Sequence, residues 1–201
     1  MSIKPIIFSG PMVRAIRAGK KTQTRRVLKP QVIISPGMVP SFSWGKFSGV
    51  FPDDWFGYGN EIDGTLPYSV GDILWVRETF RHISNDKYQS QISERVVEYR
   101  ADSDERNDQF QQRWKPSIFM PRSASRITLE ITEVRVHKLQ DITSSDAIAE
   151  GCSAHANSST IYCDTQNPRD DFRNLWNSLN QKRGFGWDIN PWVAALSFRV
   201  I

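Results

Sequence analysis

Apolar residues recur along this chain with a period that changes from stretch to stretch, and those changes predict its elements. Ile3, Ile6 and Ile7 make residues 1–8 a short first strand. A helix follows: Ser9 is placed to cap it, Pro11 suits its first turn, and Met12, Val13 and Ile16 fall on one face. Gly19 is its natural stop, because glycine takes left-handed backbone at little cost. Gly71-Asp72 reads as a turn into a buried strand, Ile73-Leu74-Trp75-Val76, which ends in Arg77-Glu78-Thr79. Residues 96–99 read as a further strand and 101–113 as a polar loop. The longest strand signal covers 125–139. There Ile127, Leu129 and Ile131 alternate with polar residues, then the phase slips to Val134 and Val136, which calls for a bulge or bend near Thr132 and Glu133. Thr143 or Ser144 caps a short helix running through Ala147 to Glu150, stopped by Gly151. Phe172, Leu175, Trp176 and Leu179 mark one face of an amphipathic helix. Trp192, Ala194, Leu196, Phe198 and Val200 alternate along a final strand that closes the sheet.

Between these elements lie stretches of another kind. Residues 31–70 are punctuated by prolines and glycines, yet carry Phe42, Trp44, Phe47, Phe51, Trp55, Phe56, Tyr58 and Tyr68. A disordered linker is not this aromatic, so the stretch predicts a long ordered loop folded over the body, with Trp44 and Trp55 as a lid or stacking platform or, more commonly, as core. Scattered strands with few helices predict an α+β, mainly β fold: a small closed or nearly closed barrel with helices outside. The whole of 1–201 reads as one domain, with insertions at about 31–70, 101–114 and 152–169.

Composition is ordinary for a globular chain, with 39% hydrophobic and 24% charged residues. Two cysteines give no disulfide framework, and the apolar start is too short for a signal peptide or a membrane span. A cytosolic protein with reduced thiols and no membrane association is expected. Charge placement changes the picture more. Lys4, Arg14, Arg17, Lys20, Lys21, Arg25, Arg26 and Lys29 all fall within residues 1–30, which hold no acidic residue, although the net charge of the chain is only +4. Such a block fits a polyanion, nucleic acid first; taken alone it fits a solvated basic helix end as well.

The segment Ala18-Gly19-Lys20-Lys21-Thr22-Gln23-Thr24-Arg25-Arg26 resembles the signature of ASCH domains. Gly71-Asp72-Ile73-Leu74-Trp75-Val76 looks like the next marker of that family, and 127–136, Leu139, Glu150 and the ending Ser197-Phe198-Arg199-Val200-Ile201 are similar in order and spacing to its second half. The resemblance implies a PUA-like barrel that binds RNA or a nucleoside, and a long member of the type found in bacteria and their prophages. One branch of compact ASCH proteins removes the acetyl group from N4-acetylcytidine with a lysine base, a threonine nucleophile and a glutamate acid. Matched residue by residue, those roles fall on Lys21, Thr24 and Glu150, the last lying eleven residues after Leu139 as the family pattern has it. The resemblance also brings a ribonuclease and a non-catalytic RNA-binding module as alternatives. No cofactor is called for, and oligomeric state is left open.

The chemistry sets its own conditions. A threonine hydroxyl needs a base, and a lysine serves as one when burial or neighbouring cations disfavour its ammonium form. Lys20, Arg25 and Arg26 supply such cations beside Lys21, and backbone N–H groups of the 19–24 turn or Arg26 are candidates for stabilising an oxyanion. In the plainer alternative Lys21 holds phosphate, Thr22 and Thr24 cap the turn or pair along a strand, and Glu150 is a solvated helix end or a partner of Arg25 or Arg26. Further binding candidates are Trp75, Arg77 and Glu78 past the core strand. Trp114, Lys115 and Arg122 combine an aromatic with basic groups suited to stacking a base and holding a phosphate. Cys152, His155 and Cys163, with Asp164 or His137, do not have the spacing of a zinc site, so no metal is expected.

Overall fold

The computed structural model describes residues 1–29, 31, 67–83, 96–103, 113–152 and 167–201. The predicted aromatic loop with Trp44 and Trp55, and most of the insertions at 101–114 and 152–169, lie outside the described residues. In chain order the elements are β1 (Ile3–Ile7), α1 (Gly10–Arg17), β2 (Gln23–Val27), β3 (Ile73–Arg77), β4 (Phe80–Ile83), β5 (Val96–Tyr99), β6 (Thr128–Lys138), α2 (Ser144–Ala149), α3 (Pro168–Asn180) and β7 (Trp192–Val200). The class is α+β. A mixed five-stranded sheet in the order β1-β3-β6-β7-β2 carries the fold, and β4 pairs with β5 apart from it. β1 and β3 run parallel; the other neighbours run antiparallel.

The sheet curls. Its two edge strands, β1 and β2, are bridged by Arg26, which donates from Nη2 to the Ile7 carbonyl at 3.0 Å. Inside the curl, Ile6, Phe8, Leu74, Val76, Leu129, Ile131, Val134, Leu196 and Phe198 form the main core with Val13 and Ile16 of α1. The expected phase slip in the long strand is a register shift between Ile131 and Glu133 against β7. It turns both halves of β6 toward the same core, so that Ile131 and Val134 are both buried although three positions apart.

Three sequence expectations are corrected. β7 lies between β6 and β2 and is covered on both sides. Residues Trp192 to Leu196 are therefore buried without alternation, because Val193 packs outward with Phe172, Trp176 and Trp187 while Leu196 packs inward. Leu179 is exposed, and Asn180 takes the inward place on α3, because positions 172, 176 and 180 repeat at four residues and set the buried stripe. Ser9 stands at the N-cap of α1, but its side chain makes no capping bond; only its carbonyl is used, by Val13 N–H at 2.9 Å.

Candidate active site

Lys21 follows the left-handed Gly19 turn that ends α1. Its position is fixed from both sides. Its own N–H bonds to the Ala15 carbonyl at 3.1 Å, and the next N–H, that of Thr22, bonds to the Ala149 carbonyl at the end of α2 at 2.9 Å. Opposite it stands Gly151, with φ +93°, where a Cβ would lie 3.4 Å from Lys21 Cβ and 3.3 Å from Ala15 Cβ. Glycine there both turns the chain out of α2 and leaves room for the lysine stem.

The Lys21 ammonium is enclosed and fully engaged. Its Nζ donates to Glu150 Oε2 at 2.6 Å, to the Gln23 carbonyl at 2.7 Å and to the Glu150 carbonyl at 2.9 Å, one acceptor for each proton. Lys21 and Glu150 side chains are 0% and 4% exposed. Glu150 Oε1 accepts from Arg25 Nη1 at 3.1 Å. Burial is the largest influence on Lys21 and pulls its pKa below the ordinary lysine value against the pull of Glu150, with Arg26 pushing the same way as burial. Arg26 is also lowered, chiefly by burial.

Thr24 is buried one strand position past Gln23 and pairs with Leu196, whose side chain is in the inner core. It shares that inner face with Arg26, two residues on. The Arg26 guanidinium and the Lys21 ammonium lie 5.3 and 5.7 Å from the centre of the Phe8 ring. Lys21 thus touches both sides of the strand end: the Phe8 ring within and Glu150 without. Thr24 Oγ1 makes no hydrogen bond among the described residues.

Of the candidate oxyanion donors in the 19–24 turn, four backbone N–H groups are removed. The N–H groups of Gly19, Lys20, Lys21 and Thr22 are all committed to carbonyls of Ile16, Ala15, Ala15 and Ala149. Arg26 remains as the side-chain candidate.

Other sequence candidates lie elsewhere. Lys20 and Thr22 are exposed on the same turn. Glu78 is buried against Arg126, accepting from Nε at 2.8 Å and Nη2 at 2.9 Å, and Arg126 reaches on to Asp102. Arg77 lies over the Trp75 ring at 5.3 Å and donates to the Ile118 carbonyl. Trp114 is flanked by Arg81 at 4.3 Å and Arg100 at 5.8 Å, while Lys115 and Arg122 are exposed. Sequence reading missed Asp146, which pairs with Arg25 at 3.1 Å and with Arg135 at 2.9 Å. Its signal was present: Asp146 and Glu150 are four residues apart on one short helix, hence on one face.

No protein-family model matches the chain, and no curated protein matches it. Among solved structures the chain is similar to an ASCH domain. That structure, from Lactobacillus crispatus JV V101, aligns over 99% of this chain and 79% of its own, at 12% identity and a TM-score of 0.43. At that level of likeness the chemistry must be read from this chain's own side chains. Among the described residues no three His, Cys, Asp or Glu side chains are grouped to hold a metal ion; His155, Cys163 and Asp164 lie outside them. No helix of the described residues is long and apolar enough to cross a membrane.

Proposed function

We propose that this protein is a metal-independent amidohydrolase that removes an N4-acyl group from cytidine, in keeping with the ASCH-like signature. The observation that carries the proposal is the enclosed Lys21–Glu150 contact at 2.6 Å, with the buried, unengaged Thr24 hydroxyl on the adjoining strand. A proton moving along that contact turns an ammonium and a carboxylate into a neutral amine and a carboxylic acid. Burial favours the neutral partners. The amine then takes the Thr24 proton as Oγ1 bonds to the acyl carbon, and the acid gives its proton to the departing N4 as the C–N bond breaks. Cytidine leaves; water hydrolyses the Thr24 ester, releasing the carboxylic acid and restoring the hydroxyl. Arg26 is the candidate donor to the oxyanion. Side chains so closed to solvent favour a nucleoside over a polymer as substrate.

Incubation of the purified protein with N4-acetylcytidine tests the proposal. Cytidine and acetate are expected from the wild type and not from Thr24→Val. No cytidine at enzyme concentrations equal to substrate ends the amidohydrolase reading.

A second reading, a single-stranded RNA module, is favoured by a different observation. Phe119 is 65% exposed, the sole exposed large aromatic among the described residues, and Lys115 and Arg122 flank it in sequence. Its loop is held by buried Met120 and Ala124, so the ring is presented by a fixed backbone. Lys21 and Arg25 are closed to solvent, which leaves Lys20, Lys115 and Arg122 as the candidates to meet phosphate. Binding of oligouridine that weakens with salt, and weakens again in Phe119→Ala and Lys115→Gln/Arg122→Gln, is expected on this reading. Binding indifferent to those changes counts against it.

A further inference from the structure

Registers across three strands place side chains of β2, β7 and β6 in rows on the face covered by α2 and α3. One row is Gln23, Ser197 and Glu133; the next is Arg25, Ala195 and Arg135. The small Ala195 at the centre leaves space between two arginines, and Asp146 of α2 fills it, with Oδ2 3.1 Å from Arg25 Nη2 and Oδ1 2.9 Å from Arg135 Nη2. The rows are joined into a ring. Arg25 Nη1 donates to Gln23 Oε1 at 2.8 Å, Gln23 Nε2 to Ser197 Oγ at 3.3 Å and Ser197 Oγ to Glu133 Oε2 at 3.0 Å. Glu133 in turn lies 3.4 Å from Arg135 Nε. The Arg25 side chain is 0% exposed. From this ring its Nη1 alone reaches the Glu150 carboxylate, on the oxygen that Lys21 leaves free.

We propose that Arg25, clamped by Asp146 and Arg135, is a positioning residue that fixes the Glu150 carboxylate against Lys21. It touches neither the Thr24 hydroxyl nor Lys21 Nζ, so its effect passes through Glu150. The fork of a guanidinium is what the position needs, since one planar group must meet carboxylates at 146 and 150 together. The charged groups acting on Glu150 are Lys21 from the turn before β2 and Arg25 and Arg26 from β2, with Asp146 one turn before it on its own helix. Arg26 and Cys152 act on Lys21, and Arg135 and His137 of β6 act around Arg25. From α3 the Phe172 ring faces the guanidinium at 5.7 Å.

The kinetic arm of the test rests on the amidohydrolase reading; the spectroscopic arm does not. Arg25→Met, Arg25→Lys and Asp146→Asn are compared with wild type in kcat and KM for N4-acetylcytidine against pH, and in ¹³C NMR titrations of Lys21 Cε and Glu150 Cδ. Arg25→Met removes a cation beside Lys21, which then holds its proton to higher pH; Asp146→Asn removes an anion and shifts its titration to lower pH. In each variant kcat falls, by roughly a hundredfold when the carboxylate is misplaced by about 1 Å, with KM little changed. Arg25→Lys keeps the charge but not the fork, so its titrations stay near wild type while kcat is intermediate. Plain loss of stability moves neither titration. Should Arg25→Met not fold, Asp146→Asn and Arg25→Lys carry the test. A Lys21 titration that stays put in Arg25→Met and Asp146→Asn, or shifts the same way in both, overturns the proposal. An inactive wild type removes the amidohydrolase reading and leaves the titrations as the deciding measurement.

Discussion

Two carboxylates of this protein meet cations at nearly the same distances and in opposite settings. Glu78 grips Arg126 at 2.8 and 2.9 Å, and the network runs out through Asp102, 43% exposed, to Arg17. Glu150 meets Lys21 at 2.6 Å and Arg25 at 3.1 Å with every side chain 4% exposed or less. Burial lowers the pKa of both Arg126 and Lys21, yet the outcomes differ. Glu78 and Asp102 outweigh burial and hold Arg126 above its ordinary value, whereas burial outweighs Glu150 and leaves Lys21 below its own. An arginine facing water is a permanent cation and can only join parts of the fold. A lysine sealed from water can give its proton up. The family-like pattern pointed to Glu150, and position past the core strand to Glu78; only Glu150 has a partner whose charge is negotiable.

The largest effect expected from breaking this contrast is on the sealed side. Lys21→Met leaves Glu150 with one cation in place of two, and removal of one partner from a buried pair costs about 3–5 kcal/mol. Glu150→Leu alone does likewise to Lys21. The double variant Lys21→Met/Glu150→Leu replaces the ionic contact by an apolar one and should recover most of that loss in urea unfolding, while hydrolysis of N4-acetylcytidine stays absent. Arg126→Met strips the equally buried Glu78 of its arginine and should also cost several kcal/mol in unfolding, about 3–5, yet leave hydrolysis within about threefold of wild type. A double variant that hydrolyses the substrate, or an Arg126→Met that does not, erases the distinction.

The contrast also shows what a sequence can and cannot disclose. Period and punctuation carried the elements: the slip after Ile131, the stop at Gly151 and the turn at Gly71 are all where the pattern put them. β4 was missed, because Phe80, Arg81, His82 and Ile83 do not alternate in polarity; Arg81 is buried beside Trp114 by tertiary context that no local rule contains. The central place of β7 was likewise invisible, since alternation reports one buried face and not which neighbours a strand has. At the site, Lys21, Thr24 and Glu150 were legible through spacing that resembles a family. The ring around Arg25 was not, because it joins residues from three strands and a helix up to 174 positions apart.

Asp72 separates the two variables that differ between the clusters, because its partner is a lysine, yet one 35% exposed. Burial alone would raise the Asp72 carboxyl, but bonds from Lys4, Ser2 and Ser69 outweigh it and bring it from 3.8 down to about 2. A lowered carboxylate stabilises the fold above its unfolded value and loses that contribution as pH falls through the folded one. Asp72→Asn should therefore cost about 2 kcal/mol near neutral pH, following about 1.4 kcal/mol per unit. The difference from wild type should close as pH falls from about 4 to about 2. It should leave hydrolysis unchanged, as a paired lysine alone does not make a site. A stability gap that persists unchanged to pH 2 contradicts the assignment.

The smallest expected effect comes from loosening the helix that carries Glu150 without touching any charge. Thr143 caps α2 reciprocally with Asp146: its Oγ1 accepts from Asp146 N–H at 3.1 Å, and Asp146 Oδ2 accepts from Thr143 N–H at 3.4 Å. Thr143→Ala removes the first of these and should cost about 1 kcal/mol in unfolding, with Thr143→Ser restoring it. Asp146 also holds Arg25, so a frayed cap lets the far end of the clamp drift. Hydrolysis should then fall by a few-fold in kcat, with both limbs of its pH profile unmoved because no charge has changed. Arg126→Met, which leaves α2 untouched, should show the reverse: stability lost with kcat kept. If Thr143→Ala shifts the pH profile, the capping threonine is coupled to Lys21 by more than geometry; if it leaves kcat whole, Glu150 is held by Lys21 and its own helix, and the distant arginine ring is scaffold alone.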